Sequence, residues 1–426
     1  MHSAKRILAC ICALALMCAG PLGGCSTSEP VNPVPANSTN EDAPLPSGEE
    51  IKIEGDTLLA FSANTASALA STRDEAHADE NICFSPLSLY LATSLAALGS
   101  DNEARAELIE LLGIDDLDAL AEFCRVIMQA DTTSTDATTI AFANSLWIDD
   151  EYAFRAPYAA TVENALDASL FSVDFAAHDT NSQIDAWIKD ETQGLIEHGI
   201  ETNSDTISAL INTLYFKDRW AEPFSEESRI TQAFKGERDI TEMPFVSGTI
   251  EGSSYIDEPT FTAASLELES GARMTFFLNK DDEAGPLGLM ADPSELLALL
   301  NTPLQPRSVT WTMPEFVSES SLDSLEKTLQ ALGVKAPFDP ERPGSFTSMI
   351  ESDPEDFCID RIAQNNKVSV NAFGVEAASA TIVEMVKLTS LVDEEDPITF
   401  TLDRPFLYTI ASPEGHLLFI GTFVNA

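Results

Sequence analysis

The chain has 426 residues, 44% of them hydrophobic, enough to bury one large core. Its formal net charge of −47 argues against nucleic acid, an anionic membrane surface or a heparin-like polyanion as partner, since it would repel all three. With five His, no His-Glu-x-x-His helix, no Gly-x-Ser-x-Gly elbow and no phosphate-cradling glycine loop, neither a conventional enzyme nor a metal or other cofactor is expected.

In chain order, Lys5 and Arg6 precede the apolar run Ile7 to Ala19, which is too short to span a bilayer and fits a signal-peptide core. The run ends at Pro21-Leu22-Gly23-Gly24-Cys25, which resembles a bacterial lipobox. Residues 1–24 are therefore expected to be removed and Cys25 lipidated. The alternative is an ordinary secretory signal with an incidental cysteine. A lipid on Cys25 anchors without spanning. It would hold the chain on the extracytoplasmic face of the cytoplasmic membrane or at the cell surface. Residues 25–53 read as a linker in which Pro30, Pro33, Pro35, Pro44 and Pro46 stand among Asn, Ser, Thr and Glu. Such a segment holds a folded domain up to ~80 Å away. Residues 54–426 form that domain. Its Cys83, Cys124 and Cys358 have neither metal-site nor dense-disulfide spacing and read as structural or free thiols.

Within the domain, Thr57 to Leu69 reads as a helix. The next begins at the cap Ser85 with Pro86 in its first position, carries the stripe Leu87, Leu91, Leu95 and Leu98, and stops at Gly99. Glu103 to Leu112 is a third helix, ended by Gly113. Ala141 to Ile148 and Ala209 to Phe216 are strand-like, the second apolar on both faces and hence central in a sheet. Pro405 to Ile410 and Leu417 to Val424 form a hairpin around Pro413-Glu414-Gly415. Helices early and strands late, with mixed connections, indicate an α+β domain.

One stretch stands apart. The strand-like run Lys367 to Val370 is followed by Gly374-Val375-Glu376-Ala377-Ala378-Ser379-Ala380-Thr381 and then an irregular segment to about Asp396, before strand signals return at Thr399. A loop of that length inside a domain is functional or disordered. At strand period, Val375, Ala377, Ser379, Thr381, Val383 and Met385 share one face, and Glu376, Ala378, Ala380, Ile382 and Glu384 the other. A short helix after Gly374 is the alternative.

Asn371, Gly374, Glu376, Ala377, Ala378, Ala380 and Thr381 resemble the hinge of the serpins. Asn81, Ser85, Pro86 and Ser88 are similar to a second serpin signature. So are Leu210, Asn212, Tyr215, Phe216, Lys217 and Trp220, with Phe224 after them, and the closing Asp403-Arg404-Pro405-Phe406 and Leu418-Phe419-Ile420-Gly421. The resemblance runs in register from about residue 54 to the end. It implies three β-sheets with about eight or nine helices around them and a reactive-centre loop at about 372–396.

It further implies suicide inhibition of a serine protease. The protease cuts the loop, and the freed hinge inserts as a new strand in the main sheet, carrying the acyl-enzyme with it and distorting it. Val375 to Leu388 would span roughly 45 Å as a strand and gain on the order of 10 kcal/mol in backbone hydrogen bonds. A charged residue at Val375, the first inward position, is expected to stall insertion. The family spacing from Gly374 puts the reactive bond at Leu388-Thr389, for a chymotrypsin- or elastase-like target. A slip of one residue selects Lys387 and a trypsin-like one. Ser85, Ser88, Asp185 and Gln364 resemble the polar cluster, the shutter, that holds the sheet shut, with Asp185 and Gln364 able to pair.

Several departures from the family are plain, among them Gln364 where it usually has His and Asp185 where it has Asn. Ala372 and Phe373 stand where polar residues are common, and Asp218 replaces Gly, which reads as drift. Partners are expected to be a serine protease, held covalently, and membrane only through lipid on Cys25. The protein itself is expected to be a monomer. A non-inhibitory serpin acting as a binding module, or at the margin a hydrolase, are the other readings.

Overall fold

Helix Pro86–Gly99 shows how local chemistry sets the architecture. Ser85 lies in extended conformation and its side chain accepts the Ser88 N–H, while Pro86 fills a position that has no hydrogen-bond partner to lose. The leucine stripe suggests a one-sided helix, but almost every residue is buried, because sheets and other helices enclose it on all sides. Gly99 ends it for packing: a Cβ there would come within 2.8 Å of both Met349 and Tyr158.

The computed structural model describes residues 55–73, 79–135, 137–197, 199–281, 283–342, 344–351, 357–375 and 396–426. Among them are eight α-helices and three sheets, an α+β architecture. The expected first, second and third helices appear as Gly55–Thr72, Pro86–Gly99 and Asn102–Leu112. The hairpin appears as Phe406–Ala411 paired with Leu417–Phe423, inside a seven-stranded sheet. A four-stranded sheet is built from Ile398–Thr401, Val309–Pro314, Ile240–Ile250 and Arg229–Lys235. No helix among the described residues is long and apolar enough to cross a membrane.

The main sheet runs Phe316–Leu322, Arg361–Asn371, Gly374–Val375, Ser208–Arg219, Thr139–Asp149 and Thr133–Ser134, with Ser169–Val173 beside Thr139–Asp149. Ser208–Arg219 is its central strand, buried on both faces along Ser208 to Phe216, as the apolar residues on either side of Asn212 and Thr213 require. Side-chain alternation splits the sheet's surroundings. Leu210, Leu214, Phe216 and Ile362 face the large core around helix Pro86–Gly99. Ala209, Ile211 and Ala363 face a smaller cluster under helix Thr180–Glu191, made by Ile184, Ile188 and Trp147.

Candidate functional site

The main sheet is open along part of one seam. The hinge strand, Arg361–Asn371, pairs in parallel with the central strand only from Arg361 opposite Ala209 to Asn365 opposite Thr213. Beyond that, among the described residues, Asn366 to Ser369 and Leu214 to Lys217 have no ladder between them. At the far end the two-residue strand Gly374–Val375 closes the seam. Val375 pairs antiparallel with Val370 on one side and Asp218 on the other, and Gly374 with Asn371 and Arg219. Gly374 and Val375, expected within the loop, are therefore already in the sheet, and Val375 is completely buried. Glycine is required at 374, where φ is 154° and a Cβ would lie 2.2 Å from the Asp218 carbonyl oxygen.

The turn that leads into this stub is held at every step. Trp220 donates its indole N–H to the Asn371 carbonyl and its backbone N–H to the Phe373 carbonyl. Phe224 N–H donates to the Ala372 carbonyl. Ala372 N–H donates to Glu315 Oε1 at 3.0 Å, and Phe373 N–H to Asn371 Oδ1 at 2.8 Å. Ala372 and Phe373, apolar where polar residues were expected, are both buried. Asp218 is not drift. Its buried carboxylate accepts from Thr138 Oγ1 at 2.7 Å, from Arg219 N–H and from Ser270 N–H, tying three segments together beside the stub.

At the closed end lies the polar cluster. Gln364 receives the Ser85 backbone N–H on Oε1 at 2.8 Å and donates Nε2 to the Ser85 carbonyl at 2.9 Å. Asn366 donates to Gln364 Oε1 and to the Cys83 carbonyl. Ser88 lies in the same buried layer. Asp185 does not join them, which corrects the expectation. It belongs to helix Thr180–Glu191 on the opposite face of the sheet, where its carboxylate accepts the Gly199 N–H at 2.6 Å. Gln364 and Asp185 cannot pair because the sheet stands between them.

The residue that shares a face with Gln364 is its ladder partner Asn212, which donates to Asn144 Oδ1 at 2.6 Å. Asn144, Asn212 and Asn366 were missed, although a lone Asn at an inward position of an apolar strand marks such a cluster. Several buried polar atoms here find no partner among the described residues: Ser88 Oγ, Asn212 Oδ1, Thr213 Oγ1, Asn365 Nδ2 and Asn366 Oδ1. They gather where the ladder opens. An unpaired buried polar group costs about 1–3 kcal/mol.

Cys83, Cys124 and Cys358 are buried and form no disulfide. Burial pushes the Cys83 and Cys124 thiols up to about 12, so neither is a nucleophile at neutral pH. His178 is exposed. His416 is instead drawn to Asp131, Nδ1 to Oδ2 2.6 Å, because the hairpin turn rests on the end of helix Leu117–Asp131. No three His, Cys, Asp or Glu among the described residues gather as for a metal. What the seam offers is hydrogen bonding: two facing strand edges and a started strand between them. Cys25, residues 1–54, Glu376 to Thr381, Lys387, Leu388 and Thr389 lie outside the described residues.

The family model described as "Serpin (serine protease inhibitor)" matches residues 59–426. Serpin-ZX of Arabidopsis thaliana is 29% identical over 373 residues, covering 82% of this chain and 92% of that protein. The leukocyte elastase inhibitor of Bos taurus is 29% identical over 381 residues, covering 85% and 98%. Among solved structures, the native stressed conformation of Arabidopsis AtSerpin1 superposes with TM-score 0.76 at 25% identity, covering 89% of this chain and 99% of that one. Serpin48 of the insect Tenebrio molitor gives TM-score 0.77 at 23% identity, covering 89% and 100%, a likeness of fold.

Proposed function

The chain belongs to the serpin family, and from that premise we propose that it is a suicide-type inhibitor of serine endopeptidases that traps the acyl-enzyme by inserting its cut loop into the open seam. The carrying observation is the register of the stub. Extending the pairs Val375–Val370 and Val375–Asp218 down the seam would set each loop residue against a defined pair of neighbours. Ala377 would meet Val368 and Phe216, and Val383 would meet Ile362 and Leu210, all apolar and buried. Ser379 would meet Asn366 and Leu214, and Thr381 would meet Gln364 and Asn212. The hydroxyls would thus fall beside the Asn366 and Asn212 oxygens that have no partner among the described residues. Glu376 would fall on the other face beside Lys217, an opposite-charge cross-strand pair. Leu214 beside Ser379 apart, apolar meets apolar and polar meets polar, as a loop selected for insertion requires.

The same register would exhaust the hinge strand at Glu384, opposite Arg361, and the central strand at Met385, opposite Ser208. A bond at Leu388-Thr389 would then lie just past the sheet's far edge, where an attached protease is carried clear of its starting position. Leu388 favours a chymotrypsin- or elastase-like target, and two of the similar proteins are named leukocyte elastase inhibitors. Lys387 would select a trypsin-like one. We further infer that the protein is a lipoprotein, anchored through Cys25 after loss of residues 1–24 and held off the membrane by residues 25–53. In this reading residues 54–426 act as a monomer outside the cytoplasmic membrane. The absence of a polyanion partner also stays part of the proposal. Of the arginines in the early helices, Arg105 is engaged by Asp101 and Arg125 by Glu122.

The test is to mix the protein with elastase, chymotrypsin and trypsin, look for an SDS-stable complex, and map the cut by mass spectrometry. Clean cleavage with no complex would sink the inhibitory reading and leave a binding module. A cut after Lys387 would move the target class.

A further inference from the structure

Insertion explains the seam and the stub, but not why the turn before them carries a buried aromatic ring. Phe373 is 4% exposed. The Arg229 guanidinium lies 5.6 Å from the centre of its ring. The same guanidinium makes a forked contact with Glu315, Nε to Oε2 3.1 Å and an Nη to Oε1 3.0 Å, with Glu226 3.9 Å away. Glu315 Oε1 in turn receives the Ala372 N–H. One ion pair therefore grips two consecutive residues of the turn, one through its backbone and one through its ring. The three parts come from distant segments. Arg229 opens a strand of the four-stranded sheet, Glu315 joins that sheet to the main one, and Phe373 follows the hinge strand.

We propose that Arg229 and Glu315 are positioning residues that clasp the hinge turn and so fix the register in which the loop inserts. The clasp itself is a matter of this fold's geometry. Its consequence for trapping rests on the inhibitory reading above. Register matters because a slip of one residue along the seam would turn Ala377, Ser379, Thr381 and Val383 away from the core and Glu376 into it. Among the described residues, only Gly374 and Val375 hold the stub's register by ladder pairs. The turn supplies the rest. Trp220 and Phe224 hold it through backbone carbonyls that any residue would present, whereas Arg229 and Glu315 recognise this turn by charge and by its ring. The Arg229 side chain is 40% exposed and that of Glu315 15%, so salt weakens the clasp without abolishing it.

Hydrogen exchange at residues 368–375 reads the clasp directly, in the intact chain and without any protease. Arg229→Ala is expected to speed exchange there about three- to tenfold. Glu315→Gln keeps an acceptor for the Ala372 N–H and loses the charge, so it should give a smaller acceleration. Arg229→Lys keeps the charge without the fork and should recover part of the protection. Raising NaCl from 0.05 to 1 M should speed exchange in the wild type and leave Arg229→Ala unchanged, a difference that a purely structural role would not produce. In the second readout, Arg229→Ala should raise the number of inhibitor molecules cleaved per protease trapped by a similar factor.

Unchanged exchange in the Arg229 and Glu315 variants, or equal salt response in wild type and Arg229→Ala, overturns the clasp. Faster exchange with unchanged partitioning overturns its role in register. If the wild type forms no SDS-stable complex at all, the inhibitory reading fails while exchange still decides the clasp.

Discussion

A glutamate placed at Ala377 and one placed at Ala378 should behave oppositely. Both substitutions add the same charge to the same loop, one residue apart, so they differ only in the face that each would take on insertion. At 377 the side chain would be driven between Val368 and Phe216, 1% and 2% exposed, in the large core. Taking a carboxylate out of water without a partner costs several kcal/mol, and each 1.4 kcal/mol is tenfold in rate. Insertion of Ala377→Glu should therefore slow by about a thousandfold or more. On the proposed mechanism, hydrolysis of the acyl-enzyme would then win, and the inhibitor would become a substrate. At 378 the side chain would lie beside Lys367, at the edge of a cavity of about 290 Å³ bordered by Leu195 to Glu197 and Asn365. Ala378→Glu should keep most of its trapping. The assay is the ratio of SDS-stable complex to cleaved inhibitor after mixing with chymotrypsin or elastase. Equal loss in both variants, or full trapping by Ala377→Glu, would refute the register argued from the stub.

Three further outcomes are expected. Gly374→Ala would push a methyl group into the Asp218 carbonyl and to 2.6 Å from Arg219 Cα. It should cost about 1–3 kcal/mol, read as a lower denaturation midpoint; an unchanged midpoint would show that the stub does not bear on stability. Gln364→Leu strips the Ser85 N–H of its partner, while the Ser85 carbonyl keeps the Leu89 N–H and the Asn366 amide keeps the Cys83 carbonyl. It should lower the melting temperature by an amount worth about 1–3 kcal/mol for the one orphaned donor, and a melting temperature equal to that of the wild type counts against the polar cluster as a lock.

The third concerns pH. Burial raises the carboxyls of Glu326, Asp360 and Glu191, the last helped by Asp167 and Asp190. A group raised on folding contributes stability that is complete below its unfolded value and is lost as pH rises through its folded value. Thermal stability should therefore increase as pH falls from 7 toward the unfolded carboxyl range near about 4, with relief of the −47 charge acting in the same direction. A calorimetric scan that shows a steady fall over that range contradicts this.

Much of the fold could be read locally. Ser85-Pro86 announced a helix start, the apolar residues on both faces of Ala209 to Phe216 announced a central strand, and Pro413-Glu414-Gly415 announced a hairpin. The site was legible in part. Alternation put Val375 and Ala377 on one face, and the stub places Val375 on the core side of the sheet. Alternation carries no information on whether a residue has already found its place, so the docking of Gly374 and Val375 had no sequence signal. Asp185 failed for a related reason. A polar residue on a helix gives no indication of which side of a sheet the helix will cover, and that is decided by Ile184 and Ile188 meeting Trp147 and Ile211. Asn212 and Asn144 carried the better signal, being amides on strands otherwise apolar. Phe373 looked out of place only because its partners, Arg229 and Glu315, are far away in the chain.

The parallel ladder from Asn365–Thr213 to Arg361–Ala209 gives the seam a threshold. By the stub's register, Glu376 to Ser379 would occupy positions where no sheet pair has to break. Ala380 is the first residue whose arrival must displace one, the pair between Asn365 and Thr213. On the proposed mechanism, insertion would divide into a short stage that breaks no sheet pair, open to a loop that has not been cut, and a committed stage that begins at a single residue pair. Such a protein would test its own first step repeatedly and still fire once.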